Sequence, residues 1–259
     1  MSGFPARRIL ILGGTGAARQ LAGRLAARAD LAVTLSLAGR TASPAAQAVP
    51  VRVGGFGGAQ GLADYLAAER IDALVDATHP YAATISANAA RAGELRKTPL
   101  LALRRPPWLA VTGDRWIEVD DVRGAVAALG SAPRRVFLAL GRNELAPFAR
   151  APQHHYLVRS VDPVDPPLAV PHAVYITGRG PFSEADEHAL LAAHGIELVV
   201  AKNSGGDATY GKIAAARALG LPVILLRRPA LPDVAAVDTV EAAVAWLDRL
   251  HDRPHGSTE

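Results

Sequence analysis

The side chains best suited to acid–base chemistry follow an apolar run that ends at Asp76. His79 and Tyr81 lie two residues apart in the stretch DATHPYA, directly after Thr78. A histidine beside a tyrosine is a candidate acid pair, because either side chain can pass a proton to a reacting carbon. A lone histidine is more often structural, and no second histidine or carboxylate nearby has metal-ligand spacing. The stretch therefore offers two candidate proton donors and predicts no metal site.

A glycine-rich loop follows the first apolar run of the chain. Gly13, Gly14 and Gly16 surround Thr15, and a helical pattern begins after them. Glycine lets the backbone bend sharply and approach a phosphate without a Cβ in the way, while the start of a helix offers unpaired N–H groups. The fingerprint G-x-G-x-x-G would place its third glycine where Arg19 stands. The loop predicts a nucleotide-phosphate site, although similar loops also occur as plain structure.

The second apolar run ends in Gly39, Arg40 and Thr41. Proteins that prefer NAD place an acidic residue here, about 20 residues after the glycines, to bind the ribose 2′-hydroxyl. In this chain no carboxylate would repel a 2′-phosphate, and the Arg40 guanidinium can pair with it. The alternative is that Arg40 is an ordinary solvated loop residue. The combination favours NADPH over NADH.

Further polar loops follow other strand-like runs. The stretch VGGFGG carries Gly55 and Phe56, and is predicted either to approach the nicotinamide, as a lid would, or to be a tight connection. Three loops in the second half, at 141–143, 177–180 and 202–206, present arginine, lysine and bare backbone amides. Ligands of doubly wound sheets bind beyond the carboxyl ends of the strands. These loops therefore predict a site for a molecule with several carboxylates, unless each is simply solvated.

The elements that must position these loops alternate between short apolar runs and amphipathic stretches. Runs typical of strands lie at 8–12, 32–37, 49–53, 73–76, 100–103, 135–140, 156–161, 173–177, 198–201 and 223–227. Helical patterns lie at 18–29, 60–70, 83–92, 122–129, 143–150, 184–194, 212–219 and 240–252. Strands separated by helices predict the α/β class, with mostly parallel sheets and helices on both faces. Unbroken apolar strands agree with burial on both faces.

The proline- and arginine-rich stretch RRPPWLAVTGDRW divides the elements into two groups. It is predicted to be a connection, because Pro106 and Pro107 cannot continue a helix or a strand ladder. We expect two Rossmann-like lobes, 1–105 for the nucleotide and 106–259 for the substrate, with the ligand cleft between them. The pattern leaves open the oligomeric state and whether a strand of one half completes the sheet of the other.

Composition narrows the class of protein. The chain of 259 residues has no cysteine, which excludes disulfides, thiolate metal sites and cysteine nucleophiles. Its formal net charge of +4 fits anionic ligands without requiring them. Nucleic acid is not an expected partner, since the chain has no Lys/Arg tract and only 5% aromatic residues. No run approaches the ~20 apolar residues of a membrane span, and no signal peptide is recognised, so we expect no membrane association and a cytoplasmic protein.

Several stretches together resemble the precorrin-6A reductases of cobalamin (vitamin B12) biosynthesis. The most specific are DATHPYA, TGRGPF and KNSGG in this order and spacing, and ILILGGTGAARQLA, RVGGFGG and LLALRRPPW extend the resemblance over nearly the whole chain. It implies NADPH-dependent reduction of one C=C bond of the precorrin-6A macrocycle, a polycarboxylate tetrapyrrole, to precorrin-6B. Neighbouring enzymes of the pathway are an expected partner, by channelling. The family often has an acidic residue where this chain has Ala17, which bears on the ribose contacts.

The loops and the resemblance together give three sets of site residues. The candidate proton donors, besides solvent, are His79, Tyr81 and Lys202. The residues expected at the cofactor are Gly13, Gly14, Thr15, Gly16, Ala17, Gly39, Arg40, Thr41, Gly55, Phe56 and Thr78. The residues expected at the substrate are Arg104, Arg142, Thr177, Gly178, Arg179, Lys202, Asn203, Ser204 and Gly205.

Other functions fit parts of the pattern. A short-chain dehydrogenase requires a Tyr-x-x-x-Lys pair, and no tyrosine here has a lysine four residues on. A dihydrodipicolinate-type reductase could share the glycine loop without needing so basic a second lobe. A methyltransferase would require an acidic residue after the second strand. The rival from another class is a non-catalytic NADPH-sensing regulator. The nicotinamide face and the choice between metal-free and cobalt-containing substrate stay open.

Overall fold

The computed structural model describes residues 6–39 and 46–251, which form two compact units. The first unit contains the described residues up to Arg105 together with those from Ala230 onward. The second unit is Pro106–Pro229. Each unit is built around one six-stranded sheet.

The elements follow one another in alternation. The strands are β1 (Arg7–Leu12), β2 (Leu31–Leu37), β3 (Val51–Val53), β4 (Ala73–Asp76), β5 (Leu100–Leu103), β6 (Trp116–Val119), β7 (Arg135–Ala139), β8 (His155–Ser160), β9 (Ala173–Thr177), β10 (Leu198–Lys202), β11 (Val223–Leu226) and β12 (Ala236–Val237). The α-helices are α1 (Gly16–Leu25), α2 (Gly58–Ala68), α3 (Ala83–Arg96), α4 (Val122–Ala128), α5 (Glu184–Ala193), α6 (Gly211–Ala218) and α7 (Val240–His251). Short 3₁₀ turns lie at Arg142–Glu144, Ala146–Arg150 and Asp207–Thr209.

The sheet of the first unit has the order β3-β2-β1-β4-β5-β12, and its strand pairs are parallel. Successive side chains of a strand point to opposite faces. Accordingly, Ile9 and Ile11 of β1 pack with α1 and α7, whereas Leu10 and Leu12 pack with α2 and α3. The sheet is therefore covered by helices on both faces, and the strand order changes direction between β1 and β4.

The sheet of the second unit has the order β9-β8-β7-β10-β11-β6, again with parallel pairs. Phe137 of β7, Val199 of β10 and Leu225 of β11 share a core with α5 and α6. Here the order changes direction between β7 and β10. The two sheets confirm the predicted α/β class with parallel sheets.

The C-terminal part of the chain differs from the predicted range of the second lobe, 106–259. β12 pairs with β5 in the first unit, with Ala236 opposite Ala102 and Val237 opposite Leu103. Helix α7 adds buried residues, among them Ala243, to the same core as β1. The predicted boundary is therefore corrected, because the sixth strand and one covering helix of the first sheet come from the end of the chain.

Two strands were not predicted, and one predicted helix is corrected. β6 and β12 give no apolar run in the sequence, because β6 is a four-residue strand with an exposed Ile117 and β12 has only two residues. The predicted helix at 143–150 is instead two 3₁₀ turns, with Pro147 in the first turn of the second.

Within the described residues, the helices are too short or too polar to cross a bilayer.

Candidate functional site

The glycine loop of the first unit, residues 13–16, lies between β1 and α1. The N–H of Gly13 donates to the carbonyl of Ser36 (2.9 Å). Gly14 has a φ of +114°, a conformation that L side chains rarely adopt. An added Cβ at Gly14 or Gly16 would meet no described atom within 4 Å. The loop is therefore open at Gly14 and Gly16, whereas an added Cβ at Gly13 would lie 2.6 Å from Leu35 Cδ1. Helix α1 has no acidic side chain in its first turn.

Thr15 fixes the loop to its surroundings. Its hydroxyl caps α1 by accepting from the Ala18 N–H (3.1 Å) and donates to the carbonyl of Ala77 (2.8 Å), just beyond β4. The glycine loop is thereby joined to the neighbouring strand end. Ala17 packs partly against the core of the unit.

The end of β2 is only partly described. Gly39 is exposed and has a φ of +74°. The predicted cofactor residues Arg40 and Thr41 lie outside the described residues.

The VGGFGG stretch is held in shape by a residue that the sequence analysis missed. The Arg52 guanidinium donates to the carbonyls of Gly54 and Gly55 (2.7 Å to Gly55) and lies 3.8 Å from the centroid of the Phe56 ring. Phe56 also meets Tyr65 of α2 edge to face, at 5.1 Å. Phe56 is therefore fixed between two partners of its own unit, and its contact with a nicotinamide stays a prediction. The arginine between two valines at the strand end was the available signal.

A buried carboxylate organises the end of β4. Asp76, 3% exposed, accepts from the backbone N–H and the hydroxyl of Thr78 (3.1 and 2.6 Å) and from the Ser86 hydroxyl of α3 (2.6 Å). These bonds satisfy its acceptors and orient the turn that carries the predicted proton donors. Asp76 is a positioning residue that the predicted site did not contain, although its place at the end of an apolar run was visible.

His79 and Tyr81 lie in that turn, as the sequence predicted. The backbone N–H of Tyr81 donates to Nδ1 of His79 (3.3 Å), and the two ring centroids are 5.6 Å apart. Because Nδ1 accepts, the neutral imidazole carries its proton on Nε2. Both side chains are half-buried. The turn thus holds a histidine with a defined tautomer next to Thr78, at the carboxyl edge of the first sheet.

The second unit brings Lys202 against a carboxylate. Lys202 ends β10, and its Nζ donates to Oε1 of Glu144 in the 3₁₀ turn after β7 (2.5 Å). An added Cβ at Gly141 would lie 2.5 Å from Glu144 Oε2, so a side chain there would require the Glu144 carboxylate to move. The pair sits where the strand order changes direction, the usual ligand position of such a sheet. Glu144 was missed, and it neutralises much of the charge that Lys202 was expected to offer.

Asn203 and Gly205 hold their loop against the segment that begins the unit. The Asn203 side chain accepts from the Trp108 N–H (2.8 Å) and donates to the Trp108 carbonyl (2.9 Å). Gly205 has a φ of +68°, and an added Cβ would lie 2.1 Å from the carbonyl oxygen of Pro106. Ser204 follows in the same turn, where its N–H donates to the Lys202 carbonyl (2.8 Å). The described contacts of Asn203 and Gly205 are internal, and their contact with a substrate stays a prediction.

The remaining predicted substrate residues lie at three places. Thr177 ends β9, and Gly178 and Arg179 follow it; the Gly178 N–H donates to the Ser160 carbonyl (3.0 Å), and Arg179 is exposed. Arg142, also exposed, belongs to the turn that carries Glu144. Arg104 instead belongs to the first unit, where it donates to the carbonyl of Pro232 (3.0 Å).

In the described ranges, no group of three or more His, Asp or Glu side chains is placed to hold a metal ion.

Comparison with known proteins gives a consistent result. The sequence model of the precorrin-6x reductases CbiJ/CobK matches residues 8–248. A precorrin-6A reductase of a Sinorhizobium species is 56% identical over 237 residues, which cover 92% of this chain and 91% of the relative. The precorrin-6A reductase of Rhodobacter capsulatus is 49% identical over 251 residues, which cover 97% and 98%.

This chain belongs to the precorrin-6x reductase family. A solved structure of a CobK precorrin-6A reductase matches it with a TM-score of 0.91 at 48% identity, covering 97% of this chain and all of that one (100%). The resemblance predicted from the sequence is confirmed. In this chain the three most specific stretches each begin at the last residue of a strand: DATHPYA at the end of β4, TGRGPF at the end of β9 and KNSGG at the end of β10.

Proposed function

We propose that the protein is an NADPH-dependent precorrin-6A reductase that converts precorrin-6A to precorrin-6B. The observation that supports the proposal is the glycine loop between β1 and α1, which is open at Gly14 and Gly16. The first sheet supports it, because counting from β3 its order is 3-2-1-4-5 with β12 as the sixth strand, the order of dinucleotide-binding folds. A pyrophosphate fits beside Gly14 and Gly16, where no Cβ stands in the way and the helix start favours negative charge.

The bound NADPH would supply a hydride to one carbon of the macrocycle. The residues of this chain would bind and orient it: Gly13–Gly16 at the phosphates, and Thr15 as the group that fixes the loop to the end of β4. A proton must then reach the adjacent carbon. We assign the role of proton donor to His79. The Tyr81 N–H at Nδ1 orients its ring, and the imidazolium form, after taking up a proton from solvent, would give that proton to the carbon and be left as neutral imidazole. Asp76 holds the turn in place.

The second unit is proposed to bind the carboxylates of the macrocycle. Arg142 and Arg179 are exposed at the carboxyl ends of β7 and β9, and Lys202 ends β10, which is next to β7 on the side away from β9. Guanidinium and ammonium groups bind carboxylates through charge-assisted hydrogen bonds. The basic edge therefore suits a ring that carries acetate and propionate groups.

The deciding experiment follows NADPH absorbance after purified precorrin-6A is added, with the mass of the product measured in parallel. We expect NADPH consumption and a product heavier by two hydrogens. The cobalt-containing macrocycle serves as a second arm and distinguishes the two substrate forms. A protein that binds NADPH but turns over neither macrocycle would be a regulator and not a reductase.

Arg40 is proposed to pair with the 2′-phosphate of NADPH. Replacing it by alanine removes a charge-assisted pair, so we expect the Kd for NADPH to rise about tenfold to a hundredfold. The Kd for NADH should stay nearly constant, which makes NADH the matched control. Both constants can be measured by calorimetry on wild type and R40A. Equal affinity of the wild-type protein for NADH and NADPH would contradict the assignment.

A further inference from the structure

Three charged side chains that the predicted site did not contain are buried together in the second unit. They are Arg159 of β8, Glu187 of α5 and Lys212 of α6, which are 9%, 1% and 5% exposed. Burying a charge is costly unless it is paired and hydrogen-bonded. The cluster contains two cations and one carboxylate, so one positive charge is left over.

The carboxylate is taken up by Arg159. The guanidinium forms a two-point contact with Glu187, with 3.0 Å between Nη2 and Oε2. It also lies 3.8 Å from the ring centroid of Phe182 and 4.9 Å from that of Phe137. In the part of the chain that the structure describes, Lys212 forms no salt bridge. Lys212 therefore carries the surplus charge of the cluster.

Lys212 makes its contacts with the loop that follows β10, here called the 202–210 loop. Its Nζ donates to the carbonyl of Thr209 and lies 5.1 Å from the ring centroid of Trp108. The Trp108 indole N–H in turn donates to the Gly206 carbonyl (2.9 Å), and Asn203 bonds the Trp108 backbone. One ammonium thus supports both the loop and the indole that fastens it.

The loop after β9 rests on the same structure. The Phe182 N–H donates to the Ala208 carbonyl (3.1 Å). An added Cβ at Gly211 would lie 2.6 Å from the Phe182 carbonyl oxygen, and one at Gly180 would lie 3.0 Å from the Ala208 carbonyl oxygen. The two loops predicted to receive carboxylates therefore touch backbone to backbone, and a change in the shape of one is passed to the other.

We propose that Lys212 is a positioning residue for the substrate, whose buried ammonium holds the Thr209 carbonyl and the Trp108 indole and so fixes the 202–210 loop in the shape that receives carboxylates. This inference rests on the proposed function of the second unit. Lys212 itself is buried under the loop and is not proposed to touch the macrocycle.

The position of Lys212 makes substrate binding sensitive to pH. The pKa of Lys212 is lowered to about 7, mainly by burial and in addition by the positive charge of Arg159 of β8, while Glu187 of α5 opposes the shift. The charged groups on its own segment, Asp207 and Arg217, lie on the 3₁₀ turn and on the later part of α6. A polyanion near the loop favours the charged lysine, so binding takes up a proton above pH 7. The KM for the tetrapyrrole should therefore rise as the pH increases from 7 to 9.

The test compares wild type with K212M and K212R. Methionine fills a similar volume without charge, and arginine keeps the charge throughout this pH range. For K212M we expect the KM for precorrin-6A to rise about tenfold at pH 7, because the Thr209 carbonyl loses its donor. The Kd for NADPH should stay unchanged, and the KM of both variants should lose its dependence on pH between 7 and 9.

Stability provides the check that K212M is folded. The pKa of Lys212 is lower in the native state than in the unfolded chain, so the native state binds the Lys212 proton more weakly. At neutral pH this difference lowers the free energy of unfolding. Methionine at position 212 cannot be protonated and does not have this penalty. The denaturant midpoint of K212M should therefore be no lower than that of wild type. A purely structural lysine would lower the midpoint and leave the pH profile of KM in place.

A second readout does not depend on turnover. The chain has only three lysines, Lys97, Lys202 and Lys212, so ¹³Cε-labelled lysine gives few NMR signals. One signal should titrate near pH 7, be absent in K212M, and shift its midpoint upward when precorrin-6A is added. If wild type reduces precorrin-6A but K212M keeps the wild-type KM and pH profile, the inference is wrong. If wild type does not use precorrin-6A, the proposed function fails instead.

Discussion

Replacement of His79 by asparagine is expected to slow the single-turnover reduction of precorrin-6A about 10²- to 10⁴-fold, the range of general acid catalysis. The asparagine side-chain oxygen can accept from the Tyr81 N–H as Nδ1 does in the structure, so the turn should keep its shape. The variant lacks only the Nε2 proton that we assign to the reaction. The Kd for NADPH should therefore stay within about twofold of wild type, since no charge-assisted contact is removed.

The controls for this prediction are Y81F and K202M, measured by rapid mixing under the same conditions. Y81F keeps the ring beside His79 and removes only the phenol, so the chemical step should stay near the wild-type rate. K202M removes the partner of Glu144 and should act on the KM for the macrocycle more than on the chemical step. A wild-type rate for H79N would exclude His79 as the donor. If all three variants kept the wild-type chemical step, solvent would supply the proton.

The sequence predicted this turn because its chemistry is local. An apolar run that ends in DATHPYA places a histidine and a tyrosine just beyond a strand, and the strand–helix alternation fixes that point at the carboxyl edge of a sheet. The same reasoning placed the glycine loop and the three basic loops of the second half. Each of these predictions depends on residues that are neighbours in the chain.

The partners of these residues could not be predicted in the same way. Glu144 and Lys202 are 58 positions apart in the chain, and Asn203 and Trp108 are 95 apart. Their pairing depends on which strands become neighbours in the sheet, and hydrophobic periodicity does not determine the order of the strands. Asn203 was therefore recognised as a polar loop residue, while its bonds to Trp108 required the structure.

The return of the chain end to the first sheet was missed for a related reason. β12 has two residues, and so short a strand produces no period-two pattern to detect. Helix α7 was predicted correctly as an element, but its apolar stripe does not say which core it covers. The pairing of Val237 with Leu103 decides this, and it joins parts of the chain separated by the whole second unit.

Replacement of Gly61 by alanine is expected to destabilise the first unit by about 3 kcal/mol or more, at the upper end of the cost of overpacking. Gly61 lies in α2, and an added Cβ would be 1.7 Å from the carbonyl oxygen of Phe56 and 2.9 Å from its carbonyl carbon. These are backbone atoms, so no side-chain rotation relieves the overlap. Either α2 or the VGGFGG stretch has to move. Denaturant unfolding measures the loss.

The matched control is G23A, a second helical glycine, in α1, where an added Cβ would meet nothing within 4 Å. Alanine is the better helix former, so this variant should gain about 0.5–1 kcal/mol. Equal unfolding midpoints for G61A and G23A would show that the contact with Phe56 does not constrain the helix. Both variants replace a helical glycine by alanine, yet we expect G61A to lower the free energy of unfolding and G23A to raise it. The difference separates the effect of the contact with Phe56 from the effect of helix propensity.

The affinity of G61A for NADPH then decides between the two interpretations of the VGGFGG stretch. Moving the Phe56 backbone also disturbs the contacts of its ring with Arg52 and Tyr65. If the stretch approaches the nicotinamide, the Kd for NADPH should rise about tenfold or more at a temperature where G61A is still folded, because positions near the cofactor tolerate little displacement. A folded G61A that binds NADPH as wild type does would make the stretch a tight connection. Its glycines would then serve the packing of α2 and not the cofactor.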